Sequence, residues 1–258
     1  MIGFCSIALR SLPINDALER IAASGFDEIE IWYAHVQQKS AAELADLAAR
    51  GRERGLTFTV LSPYFSFTRG PEKVRESLRT AEDALAVAGL LGIGKIRTFV
   101  DVGPDGLPSA GAQAGDWRAA CEGLRALCAM DRTREFVVET HRNTLADSLP
   151  SVQRLLAEVD EPNLKLNFQA NPDFLARGYI ACLRELWPHV SHMHWQQILP
   201  DEHEGYIEDP GLIDFSELAG LLAEKNYGGT VSVEYCWPDA DPTRIATANQ
   251  FVREIGLA

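Results

Sequence analysis

Short apolar segments and longer amphipathic segments alternate along the whole chain. The short segments are rich in Ile, Val, Phe and Leu, which is typical of buried strands. We predict eight strands, over residues 2–7, 27–32, 57–62, 95–100, 135–139, 164–168, 189–194 and 230–235. The longer segments repeat apolar residues every three or four positions. They predict helices over residues 14–24, 41–54, 71–91, 116–130, 149–159, 172–186, 215–225 and 241–255.

The alternation of strands and helices predicts the fold class. Gly25 and Gly55 follow the first two predicted helices, and Pro71 lies in the first turn of the third, as helix boundaries require. Eight consecutive β/α units imply a parallel sheet with right-handed crossovers, and 258 residues suit one closed barrel. An open, doubly wound sheet is the alternative, but no GxGxxG or GxxxxGKS/T motif follows a predicted strand. We therefore predict a single α/β domain over residues 1–258, a (β/α)8 TIM barrel.

Polar side chains occupy inward-facing positions on several predicted strands. Successive strand residues alternate between the two faces, so Glu139 and His141 share one face, as do His192 and His194. A buried charge is costly without a partner, and reactive groups of such barrels lie at the carboxyl ends of the strands. The other inward positions are held by Glu28, Glu30, Trp32, Arg97, Asn167, Gln169, Ser232 and Glu234. We expect a polar site where these strand ends converge.

The inward positions differ in depth, and depth separates two interpretations. The deeper residues Glu28, Asn167, His192 and Ser232 are best interpreted as a polar plug whose members satisfy one another. The last inward positions, where the barrel mouth opens, hold Glu139, His194 and Glu234. For these three residues a functional site is the better interpretation.

Composition and charge exclude several classes of protein. The formal net charge of −13 argues against a nucleic-acid or anionic-membrane partner, because phosphate binding needs a basic surface. No segment approaches the ~18 apolar residues of a membrane span, and the first residues predict a strand rather than a signal peptide. The five cysteines are odd in number and scattered, which favours reduced thiols. We expect a cytoplasmic protein with a small-molecule substrate.

Six segments carry a resemblance to a known superfamily. They are GFDEIEI at 25–31, RTF at 97–99, ETH at 139–141, LNF at 166–168, HMH at 192–194 and YGGTVSVE at 227–234. In this order they resemble the xylose isomerase-like barrel superfamily, in particular its sugar-phosphate isomerase/epimerase branch. The resemblance covers nearly the whole chain, and superfamily members are often homo-oligomers. The DNA-repair branch fits poorly, because the net charge is strongly negative and Pro172 stands near a wanted ligand position.

The resemblance implies a divalent metal ion, above all Mn²⁺ or Mg²⁺. Carried over by position, its ligands are Glu139, Gln169, His194 and Glu234. The superfamily has Asp where this chain has Gln169, and a neutral amide oxygen holds a hard cation less tightly than a carboxylate. It also has Lys-Asp where this chain has Gln196-Gln197. Weak metal binding, or a site without metal, is therefore the alternative to a fully competent centre.

The resemblance also implies roles for the residues around the metal ligands. Glu139 and Glu234 would be the catalytic acid and base for proton transfer next to a carbonyl. Arg97 would contact the substrate, or equally form a structural ion pair with Glu30 or Glu139. His141 and Glu30 are further candidates for substrate binding. Trp32, His35, Tyr64 and Trp195 follow strand ends, where they would either line a substrate pocket or pack beneath loops. The acidic loop 196–210 is interpreted as a solvated charge run, with a lid as the alternative.

Three functions are compatible with these residues. The first is a metal-assisted isomerase or epimerase of a small keto-sugar, polyol or hydroxy-keto acid. The second is a lyase or dehydratase acting on a keto-cyclitol or keto-sugar, which begins with the same proton abstraction. The third is a barrel without catalytic activity that binds a sugar or serves as a partner subunit, and Gln169 is its main support.

Overall fold

The computed structural model describes residues 2–101, 106–237, 241 and 243–256. Eight parallel strands form a closed barrel in sequence order, and the last strand pairs with both the first and the seventh. The strands are β1 Ile2–Cys5, β2 Glu28–Trp32, β3 Thr57–Ser62, β4 Lys95–Thr98, β5 Glu135–Glu139, β6 Leu164–Phe168, β7 Val190–Trp195, β8 Gln197–Ile198, β9 Glu204–Gly205 and β10 Thr230–Val233. All of them except β8 and β9 belong to the barrel. The predicted (β/α)8 fold class is confirmed.

Helices between the strands cover the outside of the barrel. They are α1 Ile14–Ala23, α2 Ala41–Glu53, α3 Pro71–Leu91, α4 Ala114–Met130, α5 Leu149–Val159, α6 Pro172–Arg177, α7 Tyr179–Leu186, α8 Phe215–Glu224 and α9 Arg244–Glu254. Local signals fix several helix ends. Ser40 and Glu43 form a capping box at α2, and the Asn171 side chain accepts the Phe174 backbone N–H at α6. Outward strand residues pack beneath these helices in one continuous hydrophobic core.

The structure differs from the predicted elements at several boundaries. The predicted helix over residues 172–186 is divided into α6 and α7 by Gly178, which has φ +95° and breaks the helical backbone. Strand β1 is also shorter than predicted, because the backbone turns into a 3₁₀-helix over Ser6–Leu9. Residues 102–105, between β4 and α4, lie outside the described residues.

The acidic loop after β7 is not the solvated charge run that was predicted. It contains the short antiparallel hairpin of β8 and β9. Its acidic side chains Glu208 and Asp209 both bind Arg244, each at 2.7 Å. The tip of the loop, with Asp201 and His203, is exposed to solvent. The rest packs on the barrel, because Ile207 is buried and Tyr206 contacts the rings of Tyr235 and Trp237.

Among the described residues, no helix is both long enough and apolar enough to cross a membrane. All five cysteines are free thiols, as their scattered spacing predicted.

Two glycines of α4 provide a matched test of the packing between this helix and the loop after β3. A Cβ on Gly123 would lie 2.2 Å from Cγ of the buried Phe67, whereas a Cβ on Gly115 would meet nothing within 4 Å. Gly123→Ala is expected to lower the free energy of unfolding by about 1–3 kcal/mol through overpacking. Gly115→Ala is expected to stabilise the helix by at most ~1 kcal/mol. Urea titrations of the two variants measure the difference, and equal stabilities would contradict the close packing.

Candidate active site

A single buried guanidinium lies at the centre of the polar barrel interior. Arg97, on β4, is 1% exposed. Its Nε lies 3.6 Å from Glu30 Oε1 and 3.3 Å from Glu139 Oε2, and its Nη2 lies 3.6 Å from Glu234 Oε1. All three carboxylates are themselves nearly completely buried. Arg97 therefore forms ion pairs with both carboxylates considered from the sequence, Glu30 and Glu139. It also pairs with a third carboxylate, Glu234, which was not predicted as its partner.

Strand geometry brings these charges together. Glu30 on β2, Arg97 on β4 and Glu139 on β5 all occupy inward-facing positions, so they meet across the interior although they are far apart in sequence. Glu234 follows β10 and continues its pairing with β7 through a backbone hydrogen bond to the Trp195 carbonyl at 3.0 Å. Each charged side chain is thus held by a rigid strand or directly beside one.

Glu30 is saturated by hydrogen bonds inside the barrel. Its Oε1 accepts the Ser62 hydroxyl, and its Oε2 lies 2.9 Å from Nε2 of both His192 and His194. The Thr230 hydroxyl, 2.7 Å from His192 Nδ1, completes this network. With Glu30 ionised, both imidazoles donate from Nε2, and the Nδ1 of His194 remains available toward the mouth. Burial opposes ionisation of Glu30, but the two histidines hold its pKa well below the ordinary value.

The four side chains proposed as metal ligands converge on His194 Nδ1. That nitrogen lies 2.9 Å from Gln169 Oε1, 3.0 Å from Glu234 Oε2 and 3.3 Å from Glu139 Oε2. Gln169 is anchored by Thr140, whose hydroxyl donates to the Gln169 carbonyl at 2.9 Å and accepts its N–H at 2.8 Å. Three oxygen donors and one nitrogen donor therefore face one point at the end of the strands.

Burial and neighbouring charges shift the pKa values of three groups in this cluster. Burial raises the pKa of Glu139 above its ordinary value, against the attraction of Arg97 and His194. Burial opposes ionisation of Glu234 too, but the neighbouring His194 lowers its pKa overall. Burial alone would lower the pKa of His194, yet the charges of Glu234, Glu30 and Glu139 raise it well above the ordinary value.

The donor set fits a divalent cation. With His194 neutral, the three carboxylates and one guanidinium leave two negative charges, which one divalent ion would neutralise. The ligand atoms of Glu139, His194 and Glu234 lie within 4.8 Å of one another, and Gln169 adds a further oxygen. Mainly oxygen donors with one imidazole suit Mn²⁺ or Mg²⁺. Glu30, bound to the far nitrogen of His194, supplies the outer hydrogen bond that orients metal-binding histidines.

A second group, Glu30 with His192 and His194, has ligand atoms equally close together. Its atoms already bond to one another, and Thr230 occupies the remaining nitrogen of His192. This group is therefore better explained as an internal hydrogen-bond network than as a second metal site, and of the predicted polar plug it contains only His192.

A cavity of about 290 Å³ adjoins the ligand cluster at the ends of β5–β7. Gln169 belongs to both, since it lines the cavity and contacts His194. His141 also lines the cavity, with its Nδ1 2.7 Å from the Arg142 carbonyl, so its Nε2 stays available. The other lining residues are Arg142, Ala170, Asn171, Pro172, Leu175, Ala176, Gln196, Ile198, Glu202, Glu204 and Leu212.

The other residues proposed to bind substrate have different positions. Tyr64, 43% exposed, stacks on Phe99, which in turn contacts the edge of His141 with ring centroids 5.0 Å apart. The rings of Trp32 and His35 contact each other after β2. Tyr64, Trp32 and His35 thus lie at the ends of β2 and β3, outside the cavity lining.

The structure corrects two of the proposed substrate contacts. Trp195 is fully buried on the outward face of β7 and packs on Phe215 of α8, because strand alternation turns it away from His194. Glu30 is fully buried beneath the mouth, and both of its oxygens are engaged by side chains of the barrel. Glu30 therefore holds His194 through a hydrogen bond, and neither of its oxygens is left without a partner.

Several site residues were not predicted from the sequence. Ser62 and Thr140 hold Glu30 and Gln169, but each is an ordinary residue at a strand end without a sequence signal. Asn171 precedes Pro172, which marks a helix start without revealing that the residue faces a cavity. Leu212 lines the cavity only because the loop after β7 folds so that the Leu212 backbone bonds to Ile198. These contacts depend on tertiary packing.

Comparisons with known proteins agree with this architecture. A family model described as xylose isomerase-like TIM barrel matches residues 18–255. The chain is 29% identical over 212 residues to a 3-dehydroshikimate dehydratase from Bacillus anthracis, covering 76% of this chain and 71% of that protein. A structure of the probable 3-DHS dehydratase from Bacillus anthracis superposes with TM-score 0.82 at 22% identity, covering 98% of each chain. A 3-keto-D-glucoside 4-epimerase from E. coli gives TM-score 0.73 at 20% identity, covering 94% of each chain. At such identities the two structures support the fold alone.

Replacement of Arg97 tests the electrostatic organisation of the cluster. Arg97→Met leaves three buried carboxylates without their guanidinium, so the free energy of unfolding should fall by about 3–5 kcal/mol. Arg50→Met is the control, because Arg50 pairs with Asp46 on the exposed surface of α2, where water screens the charges. The control should change stability far less. Denaturant titrations compare the two variants, and similar losses would show that Arg97 does not hold the carboxylates together.

Proposed function

Because the chain belongs to the xylose isomerase-like TIM barrel family, we propose that it is a divalent-metal-dependent isomerase or epimerase. Its substrate is a small keto-sugar, polyol or hydroxy-keto acid, and its reaction transfers a proton next to the carbonyl group. The observation that carries this proposal is that oxygen atoms of Glu139, Gln169 and Glu234 all lie within 3.3 Å of His194 Nδ1 at the end of the barrel.

Glu139, Gln169, His194 and Glu234 would hold Mn²⁺ or Mg²⁺. A divalent ion bound there would polarise the substrate carbonyl and so increase the acidity of the neighbouring C–H bond. The proton leaves carbon for one of the two carboxylates, Glu139 or Glu234, and returns to carbon from the other or from the same group. Arg97 contacts both carboxylates and favours their ionised state, which a proton acceptor requires. His141, with its free Nε2 at the cavity, would bind a substrate hydroxyl.

Dehydration is the second candidate function, and it is favoured by the relatives named as 3-dehydroshikimate dehydratases. It begins with the same transfer of a proton from carbon to a carboxylate. The two electrons of the broken C–H bond then form a carbon–carbon double bond while a hydroxyl group leaves the next carbon. His141 lines the cavity beside the cluster and would supply the proton that converts this hydroxyl into water.

Metal binding provides the first test of the proposal. Glu139→Gln and Glu234→Gln each remove one charged ligand, so each should weaken Mn²⁺ binding by at least about tenfold in calorimetric titrations. Glu135→Gln is the matched control, since Glu135 lies on β5 with Glu139 but at the opposite, partly exposed end. Gln169→Asp adds a charged ligand and should strengthen Mn²⁺ binding by about tenfold. Unchanged Mn²⁺ affinity in both glutamine variants would place the ion elsewhere.

Turnover in deuterated water separates the candidate reactions. The Mn²⁺-loaded protein is incubated with 3-dehydroshikimate or with a 3-keto-glucoside, and the recovered compounds are analysed by mass spectrometry. Deuterium in a recovered isomer, without loss of water, supports isomerisation or epimerisation, whereas release of one water supports dehydration. Glu234→Gln should reduce either rate by about 100-fold or more. A protein that binds Mn²⁺ but exchanges no proton with any compound would favour the sugar-binding or partner-subunit alternative.

A further inference from the structure

We propose that the cavity beside the ligand cluster binds an uncharged, mainly apolar substituent of the substrate. This inference rests on the proposed function and narrows its substrate class to keto-sugars that carry such a group, for example as a glycoside. The reacting carbonyl would lie at the cluster, and the substituent would extend into the cavity between the ends of β6 and β7.

The cavity is continuous with the cluster. Gln169 lines the cavity and places its Oε1 2.9 Å from His194 Nδ1, so a ligand at the cluster meets the cavity directly. Next to Gln169, Asn171 and Gln196 also line this end of the cavity. Asn171 Nδ2 and Gln196 Oε1 are buried and have no hydrogen-bond partner among the described residues. Small side-chain rotations would allow these two neutral amide groups to form hydrogen bonds with the hydroxyl groups of a sugar.

Apart from His141 and the charged residues Arg142, Glu202 and Glu204, the remaining wall of the cavity is apolar. This apolar wall consists of Ala170 and residues of α6 on one side, and of Ile198 in the hairpin and the segment before α8 on the other. Leu212 lines this wall although 49% of its surface is exposed. Its backbone N–H binds the Ile198 carbonyl at 2.8 Å, which holds it beside another apolar lining residue. The apolar lining residues are Ala170, Pro172, Leu175, Ala176, Ile198 and Leu212.

The charges around the cavity disfavour an anionic substituent such as a phosphate or a carboxylate. Within the described part of the chain, Arg142 is the only arginine or lysine that lines the cavity, and its Nη2 already lies 3.5 Å from Glu204 Oε1. Glu202 contributes a second carboxylate to the lining. An anion here would face two carboxylates and one occupied guanidinium. An uncharged group avoids this repulsion and gains contact with the apolar wall.

Three glycosides of one keto-sugar test the inference. The affinities of methyl, phenyl and 4-carboxyphenyl 3-keto-β-D-glucoside are measured by calorimetry with the Mn²⁺-loaded full chain. The phenyl glycoside should bind about tenfold more tightly than the methyl glycoside, because its ring leaves water for the apolar wall. The 4-carboxyphenyl glycoside should lose most of this advantage through repulsion by Glu202 and Glu204.

Two leucines of equal exposure provide the matched variants. Leu212→Asp places a charge in the apolar wall and should reduce the preference for phenyl over methyl to about twofold or less. Leu90→Asp, on the exposed side of α3 with 48% exposure, should keep the tenfold preference. Tight Mn²⁺ binding by each variant confirms that its barrel is folded.

The outcomes separate this inference from the proposed function. Equal affinities of the methyl and phenyl glycosides, tighter binding of the carboxyphenyl compound, or binding of none by a protein that holds Mn²⁺ would overturn the apolar site. The proposed metal site would be unaffected by each of these results, because the protein still binds Mn²⁺. Failure to bind Mn²⁺, by contrast, would overturn the proposed function. In that case a phenyl preference of the metal-free full chain that Leu212→Asp removes would still support the cavity assignment.

Discussion

The polar interior of this barrel depends on the balance between one guanidinium and three carboxylates. Arg97 contacts Glu30, Glu139 and Glu234, and all four groups are almost completely shielded from water. Removal of so many charges from water is costly, and a single cation does not neutralise three anions. The carboxylates of Glu234, Glu30 and Glu139 raise the pKa of His194. The net negative charge of these groups favours the binding of another cation at the ligand cluster.

The barrel scaffold makes this arrangement possible. Eight parallel strands point their alternate residues inward, so side chains from β2, β4, β5 and β7 meet although they are distant in sequence. A layered set of partners then fixes their orientation. Ser62 and His192 hold Glu30, Glu30 holds His194, and Thr140 holds Gln169. The donor atoms are therefore positioned by strands and hydrogen bonds, and mobile loops are not needed to assemble the cluster.

The sequence predicted those features that depend on local periodicity. Strand and helix alternation predicted the closed barrel, and period-two counting placed Glu139, Gln169, His194 and Glu234 on inward faces, where they converge. The same counting places Trp195 outward, so its proposed role was an error in applying the pattern and not a limit of the sequence. The position of Glu30 along β2 does not reveal which groups bond to its carboxylate, because its hydrogen-bond partners come from β3 and β7. The packing of the loop after β7 likewise depends on Tyr235 and Arg244, which come much later in the chain.

We propose that a divalent cation neutralises the net negative charge at the end of the barrel. Diffraction from crystals soaked in Mn²⁺, recorded so that the anomalous signal of manganese locates the ion, tests it most directly. We expect one strong peak bound by Glu139, Gln169, His194 and Glu234, with His194 coordinating through Nδ1. A map without a peak at these side chains, or with its peak between Glu30 and His192, would contradict it.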